Sequence, residues 1–473
     1  MLEAYRLAPA LARRTAPPRG LPFWVFAAVL LLSPLPFASV YPVWPAVYGV
    51  LIALAVLALV LQRWRLRRGL TMPQPSVLAA SLLALAVIGW GFAQSLPGLL
   101  PAWQHPVWEQ TRELLQLPEL AGTLALVPER SAQVATHYLT YLAFAWLAFW
   151  QCRRSRNRSL LLKLFIAAQA AYAGYGLIVD FSGLNSILWF DKQAYQGVLT
   201  STFVNRNNYA TYAGLGILAA LALMLRSLRQ LLARDAEPRA RLRDFVETLA
   251  SAGWLLVMAA LLCFLALLLT ESRMGLVAFL AALTLLLLGW SLRLPSGQTR
   301  AIGLGLMSLP LLLLVINLML SGDQTTARFA HLFTQGDTRL DAYPLIQQAI
   351  AERPWTGYGL GSFESAFRLV RDAQIPSLLR RAHNDYLELA LEIGWPATLA
   401  LISAFGLLLA AALRMILQRD EFEFALLFVV ATVQIGLHSL VDFSMQMPAV
   451  VFAYLFLAGL AFGGMPRNPL HTS

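Results

Sequence analysis

Three short stretches of the chain gather residue types suited to handling a phosphate ester. Thr270-Glu271-Ser272-Arg273 sets an arginine between two long apolar blocks. A charge at the centre of a membrane span costs about 2.5–3.5 kcal/mol on insertion scales, so an arginine inside or at the edge of one is a functional candidate by default. The bland alternative is an interfacial arginine that snorkels, with Glu271 as its partner. Asn205-Arg206-Asn207-Asn208-Tyr209 runs directly into another apolar block, and helix capping explains one of its asparagines but not the whole run. The richest stretch begins with Arg328 and Arg339. It passes through Pro354-Trp355-Thr356-Gly357-Tyr358-Gly359-Leu360-Gly361-Ser362-Phe363 and ends in Arg380-Arg381-Ala382-His383-Asn384-Asp385-Tyr386. Arginine suits phosphate because its planar fork binds oxyanions bidentately and keeps its charge near lipid. A histidine near pH 7 can take a proton from an attacking hydroxyl. A lone histidine is more often structural, but one beside two arginines at a membrane–water boundary is well placed to act on an anionic headgroup. The alternating glycines permit close backbone approach or φ > 0 turns. They are no dinucleotide fingerprint, because no strand precedes them. No acidic cluster has the spacing of a divalent-metal site, and there is no phosphate-binding loop. The expected chemistry therefore uses no metal, ATP or other cofactor and is driven by an already activated substrate.

These residues must be positioned by helices in a membrane. Of the 473 residues 58% are hydrophobic and 13% charged, against about 25% charged in a soluble chain. The apolar residues fall in blocks, several reaching the roughly 20 residues that cross a ~30 Å hydrocarbon core. Open strands would leave backbone groups unpaired in lipid, and the alternation of a membrane β-barrel is missing. The expected fold is an all-α polytopic membrane protein of about twelve transmembrane helices, at 22–41, 44–62, 75–95, 136–152, 159–180, 208–225, 248–269, 274–291, 301–320, 386–412, 424–441 and 448–464. This divides the chain into spans 1–9 within 1–320, a large loop at 321–385 carrying site residues, and spans 10–12 with a tail in 386–473. Two cysteines in separate apolar blocks, Cys152 and Cys263, do not suggest a shared disulfide.

The formal net charge of +11 is explained by topology rather than by nucleic acid. Basic runs lie between apolar blocks, at Arg63 to Arg68, Arg153 to Arg158 and Arg226 to Arg243. With these inside, both termini are cytoplasmic, and the segments 96–135, 181–207 and 321–385 lie on the outer, periplasmic side. The first contains an amphipathic run around Glu109–Leu117, the third is expected to hold short helices, and 226–247 reads as a solvated basic linker.

The combination resembles the bacterial O-antigen ligase and polymerase superfamily. The resemblance rests on Ser272-Arg273 opening a span, Arg339 followed by Tyr343, and the Pro-x-x-Gly-x-Gly-x-Gly stretch at 354–361. It also rests on His383-Asn384-Asp385-Tyr386-Leu387-Glu388 ahead of Glu392-Ile393-Gly394. Asn205 to Tyr212 looks like the family's asparagine-rich start of a middle span, and His438-Ser439-Leu440-Val441-Asp442-Phe443 resembles a late motif found in part of the superfamily. What the resemblance implies is an inner-membrane glycosyltransferase that moves a glycan from undecaprenyl diphosphate to an acceptor hydroxyl in the periplasm. In ligases of lipopolysaccharide biosynthesis the acceptor is lipid A–core, and in O-antigen or exopolysaccharide polymerases it is the growing glycan. In other relatives it is a protein serine or threonine. Mapped onto this chain, His383 is the catalytic histidine, and Arg273 and Arg339 hold the diphosphate as it leaves. Asn205, Arg206, Asn207, Arg328, Arg380, Arg381, Asn384, His438 and Asp442 are the candidate substrate-binding residues. The ligase is the first expectation and the polymerase the alternative. A secondary transporter or flippase of lipid-linked sugars accounts less well for the chain, which lacks half-to-half symmetry and paired broken spans. A structural scaffold gives no reason for arginines and a histidine to gather at one face.

Overall fold

The computed structural model describes residues 19–67, 69, 71–232, 238–294, 297–306, 308–310, 312–313, 338–372, 375, 379–418 and 422–464. It is mostly helical. In chain order the helices are α1 (Leu21–Leu32), α2 (Val43–Arg65), α3 (Pro75–Ser95), α4 (Val107–Leu115), α5 (Pro128–Cys152) and α6 (Ser155–Phe181). There follow α7 (Arg206–Leu232), α8 (Pro238–Thr248), α9 (Trp254–Leu269), α10 (Arg273–Leu292) and α11 (Gly297–Gly305). The last five are α12 (Thr338–Glu352), α13 (Phe363–Val370), α14 (Asp385–Gln418), α15 (Glu423–His438) and α16 (Pro448–Gly463). A two-stranded antiparallel hairpin, β1 (Ser186–Ile187) and β2 (Phe190–Asp191), pairs Ser186 with Asp191 in the 181–207 segment.

Among the described residues, six helices are long and apolar enough to cross a membrane: α2, α3, α6, α7, α10 and α14. Four more expected spans correspond to the shorter apolar helices α1, α9, α15 and α16. The expected span 136–152 is the inner part of α5, whose first turns are polar. Of the expected span 301–320, residues 307, 311 and 314–320 lie outside the described residues. The expected first span, 22–41, is not one helix. α1 stops at Leu32 and a turn and a short 3-10 segment follow, because Pro34 and Pro36 cannot continue the hydrogen-bond ladder.

α5 packs along α16, α3 against α14 and α5, α7 against α9, α10 and α15, and α10 against α15. Small residues allow the closest of these contacts. A Cβ on Gly459 or Gly463 of α16 would come within 2.7 Å of Ala148 Cβ or of the Phe149 carbonyl on α5, the small-residue spacing that brings membrane helices together. One large apolar core runs through the helix layer. A second joins Ala342, Ile346 and Ile350 of α12 to Phe363 and Phe367 of α13 and Leu391 of α14. The described part of the long polar loop, from 338 on, is thus a small folded unit seated on the start of α14, with short helices as expected.

The segment 226–247 departs from a solvated linker. α7 runs on to Leu232, and Arg226 and Arg229 close on the buried Glu423 carboxylate at 3.7 and 2.6 Å. Arg158 and Arg226 lie over the Phe424 ring, and Arg229 and Arg293 over Phe422. Since α15 runs from Glu423 to His438, this basic cluster is about 22 Å from the His438 end at 1.5 Å per residue.

Candidate active site

The start of α7 is the centre of the candidate site. Asn205 caps it, its Oδ1 accepting from the Asn207 amide at 2.8 Å. The other asparagines do different work. The Asn207 side chain donates to the Asp442 carboxylate, and Asn208 accepts from Ser444 Oγ at 3.2 Å. Thr211, one turn further, meets His438 Nδ1 at 2.5 Å and Ser444 Oγ at 2.9 Å. His438 is 1% exposed, so it lies inside this network, beneath Asp442 rather than at a surface.

Asp442 is fully buried and faces His383, with His383 Nδ1 at 3.7 Å from Asp442 Oδ1. That is an ion-pair distance, longer than a hydrogen bond. The Phe443 amide donates to Asp442 Oδ1 at 2.8 Å, and the Phe443 ring stands edge-on to the His383 imidazole at 4.9 Å. Burial works to raise the Asp442 pKa, but the His383 and His438 rings and the Phe443 amide together hold it below the ordinary carboxylate value. His383 adopts φ +52°, and its carbonyl accepts from the Tyr343 hydroxyl at 3.1 Å. This bond ties the histidine loop to α12, which carries Arg339 one turn before Tyr343. The Arg339 side chain and the whole of Arg328 lie outside the described residues.

Arg273 is half-buried at the start of α10, which Ser272 caps by accepting from the Gly275 amide. Glu271 pairs with Arg206 at 3.3 Å, and Arg206 lies over the Tyr195 ring. A Cβ on Gly275 would come within 2.8 Å of Ala210 Cβ, so the first turns of α10 and α7 touch. Arg273, Arg206 and Asn207 therefore stand on adjoining helix ends, and Asn207 reaches the Asp442 carboxylate that faces His383.

The residues after Leu379 divide by role. Arg380 is exposed. Arg381 points inward and pairs with Glu388 at 3.0 Å, while Glu388 also accepts from the Ala382 amide at 2.7 Å. Burial disfavours the Arg381 charge, yet Glu388, Glu392 and Asp385 more than offset it and raise its pKa. Asn384 caps α14, its Oδ1 accepting from the Tyr386 and Leu387 amides at 3.1 Å. Asp385 accepts from Ser439 Oγ at 2.7 Å and from Gln446 at 3.0 Å, which fixes the histidine loop to the α15–α16 turn.

The glycine stretch is a docking strip. Tyr358 and Gly359 amides donate to the Leu391 and Glu392 carbonyls at 2.9 and 2.8 Å, and the Trp395 amide donates to the Pro354 carbonyl at 2.8 Å. α14 breaks its helical dihedrals at Gly394 (φ +74°) to allow this. A Cβ on Gly357 would lie 2.4 Å from the Glu392 carbonyl oxygen, and one on Gly394 2.5 Å from that of Trp355. Both readings of these glycines, close approach and positive φ, are met. Gln94 at the end of α3 pins the junction, donating to the Thr356 and Glu392 carbonyls and accepting from the Leu360 amide.

Beside this junction opens a cleft of about 430 Å³, walled by α3, α5, α14, α15 and α16. Its lower wall is apolar, with Tyr141, Ala404, Phe405 and Ile435 among its residues, and its upper end is ringed by Arg130, His137, Tyr138, Arg381, Glu388 and Glu392. Sequence reasoning missed Arg130, His137, Glu388, Glu392 and Gln94 as site residues. A signal was present for three of them, since His137, Glu388 and Glu392 are ionisable residues inside the expected spans 136–152 and 386–412.

Residues 258–402 match the family described as O-antigen ligase. The matched stretch runs from α9 into α14 and takes in Arg273, Arg339 and His383, while Asn207, His438 and Asp442 lie outside it. A comparison with curated proteins returns no match.

Proposed function

From the premise that this chain belongs to the O-antigen ligase and polymerase superfamily, we propose that it transfers a glycan from undecaprenyl diphosphate to an acceptor hydroxyl at the periplasmic face of the bacterial inner membrane. The observation that carries this is the His383–Asp442 pair at 3.7 Å, held by Asn207 at the mouth of α7. His383 takes the proton of the acceptor hydroxyl, whose oxygen forms the new bond to the anomeric carbon. The bond from that carbon to the phosphate oxygen breaks, and the diphosphate leaves with its electron pair. Asp442 is a positioning residue that stabilises the imidazolium as it forms. Arg273, with Arg339 from the α12 segment, offsets the charge developing on the diphosphate. The substrate is already activated, so the step needs no ATP. The basic cluster around Glu423 at the opposite end of α7 and α15 supports the orientation with both termini cytoplasmic.

Lipid A–core is the first acceptor we propose, as in a ligase. The second reading is a polymerase that extends a lipid-linked glycan, and the narrow cleft of about 430 Å³ beside the histidine loop favours it over a multiply acylated acceptor. The test is transfer by purified protein given undecaprenyl-diphosphate-linked glycan and lipid A–core. Transfer is expected to disappear in His383→Ala while the protein still inserts and purifies normally. Full transfer by that variant would remove His383 from the mechanism. Product on lipid A–core marks a ligase, and chains lengthening on the carrier mark a polymerase.

A further inference from the structure

α3 leaves the helix layer with a lipid-facing stripe: Leu82, Leu85, Ala86 and Gly89 are exposed at helical spacing. The stripe does not stop where α3 ends at Ser95. Leu96, Leu100 and Trp103 are each about half exposed, and α4 follows from Val107. The inner side of α4 is occupied. Trp108 Nε1 donates to the Ala125 carbonyl at 3.1 Å, a Cβ on Gly122 would come within 2.7 Å of Trp108 Cβ, and Arg112 donates to the Leu120 carbonyl at 3.1 Å. The last turn of α4 is open. Gln116 adopts φ +52° and the Leu117 amide returns to the Arg112 carbonyl at 3.1 Å, a left-handed helix end. Leu114, Leu115 and Leu117 thus gather at one tip, and they are 83%, 60% and 50% exposed.

Two observations set this tip at the membrane boundary. The arms of its loop are tied to the exit of α3, where the Ala125 amide donates to the Gln94 carbonyl at 3.0 Å and the Gly98 amide to the Gly122 carbonyl at 2.9 Å. The His105 amide donates to Thr123 at 3.0 Å, and α4, about 14 Å long at 1.5 Å per residue, starts directly after it. Exposed indoles mark the same level. Trp395 follows the break in α14 and donates its amide to the Pro354 carbonyl beside Trp355, while the Trp103 carbonyl accepts from Arg353 at 2.8 Å. Tryptophan gathers where membrane meets water. Charge then narrows the partner: α4 sets Glu109 and Glu113 against Arg112, so anionic headgroups do not draw it. What fits the tip is acyl chain.

We propose that residues 96–117 form a membrane seat. α4 lies along the bilayer surface on the side that carries the histidine loop, with Leu114, Leu115 and Leu117 among the acyl chains and Glu109 and Glu113 in water. Helices of this kind sink their apolar face about 5–10 Å into the boundary. The seat is joined to the glycine strip, because the Leu126 amide donates to the Tyr358 carbonyl at 2.8 Å and the His105 ring stands 5.3 Å from the Tyr358 ring. The strip and the break in α14 are thereby held at a fixed height above the lipid. The partner is the lipid surface itself, and the assignment does not depend on the transfer reaction.

The experiment is spin-label depth measurement on the full chain in phosphatidylcholine nanodiscs, one chain per disc. Cys152 and Cys263, both buried, are removed as Cys152→Ala/Cys263→Ala, and nitroxides are attached at Leu114→Cys, Leu115→Cys or Glu109→Cys. Each label is collided with oxygen, which dissolves in lipid, and with a neutral nickel chelate, which stays in water. The oxygen-to-nickel ratio is expected to be several-fold higher at 114 and 115 than at 109, and unchanged when phosphatidylglycerol is added. Leu114→Asp/Leu115→Asp should open a label at Leu117→Cys to nickel. The proposal is overturned if labels at 114 and 115 meet nickel as readily as the one at 109, which leaves α4 in water. It is equally overturned if both reagents are shut out, which puts protein over the leucines, or if oxygen reaches them only when phosphatidylglycerol is present. Depth is read without turnover, so failure of the transfer mechanism would leave the result untouched.

Discussion

Asp442→Asn isolates the charge behind His383 with little change of shape. Asparagine keeps one oxygen, which accepts from the Phe443 amide in the place of Asp442 Oδ1, and its amide nitrogen, in the place of Oδ2, donates to Asn207 once that side-chain amide turns over. What it loses is the negative charge 3.7 Å from His383 Nδ1. At an effective dielectric constant near 20, two unit charges at that separation attract by about 4 kcal/mol. That attraction exists only once the imidazole has taken the acceptor's proton, so it lowers the barrier rather than strengthening substrate binding. The expected result is a fall in kcat of roughly a thousandfold, with KM for both donor and acceptor nearly unchanged. Steady-state transfer kinetics on reconstituted protein measure it, alongside the double variant Asp442→Asn/His383→Ala. Residues acting as a unit are strongly non-additive, so the double variant should be no slower than His383→Ala alone. A kcat within about threefold of wild type in Asp442→Asn, or losses that add fully in the double variant, would refute the positioning role.

Gly394→Ala should lose several kcal/mol of thermal stability, read as a lowered unfolding temperature, since it meets both a φ of +74° and a carbonyl 2.5 Å from its new Cβ. His105 in the 96–127 loop has its pKa pushed down to about 4 by burial and by Arg353. Below pH 6.5 the unfolded chain therefore binds a proton that the folded chain refuses, and stability should fall by at most about 3 kcal/mol as the pH drops from 6.5 to 4. His105→Gln should flatten that slope in pH-dependent thermal unfolding. Glu423→Gln removes the buried partner of Arg226 and Arg229 and should cost about 3 kcal/mol, again by thermal unfolding. Transfer by the molecules that remain folded should be intact, because the pair lies at the far end of α7.

The elements that were legible in the sequence were those whose signal is local. Apolar blocks gave most helix positions to within a few residues, and the proline pair at 34 and 36 carried the information that α1 would stop early, although block length outweighed it. Residues that act on neighbours in the chain were legible too: one asparagine of the 205–208 run as a cap, and the glycines as points of close approach. What could not be read was pairing across the fold. Gln94 looks like the polar end of a span, and only the packed chain shows it holding Thr356, Leu360 and Glu392 together. Arg226 and Arg229 look like linker charges, because nothing near them announces that Glu423 is brought beside them from almost two hundred residues away. His438 and Asp442 sit in one motif but on different footings, one enclosed and one facing His383, which four residues of spacing do not reveal.

The glycine strip and the kink in α14 explain why a motif with no chemistry of its own belongs to the site. Glu388 and Glu392 stand on consecutive turns of α14, and their backbone would be free to slide or unwind at Gly394 were it not fixed from outside. The strip fixes it by main-chain bonds from Tyr358 and Gly359 to Leu391 and Glu392, which tolerate no Cβ at 357 or 394. The Phe363 amide then donates to Glu392 Oε1, and Glu388 is left to hold Arg381 and the Ala382 amide, immediately before His383. The histidine loop is thereby held at one end by α14 and at the other by Tyr343 of α12. Positive φ at His383 is a strained state for such a residue, and it persists because both anchors and Asp442 agree on where the ring must be.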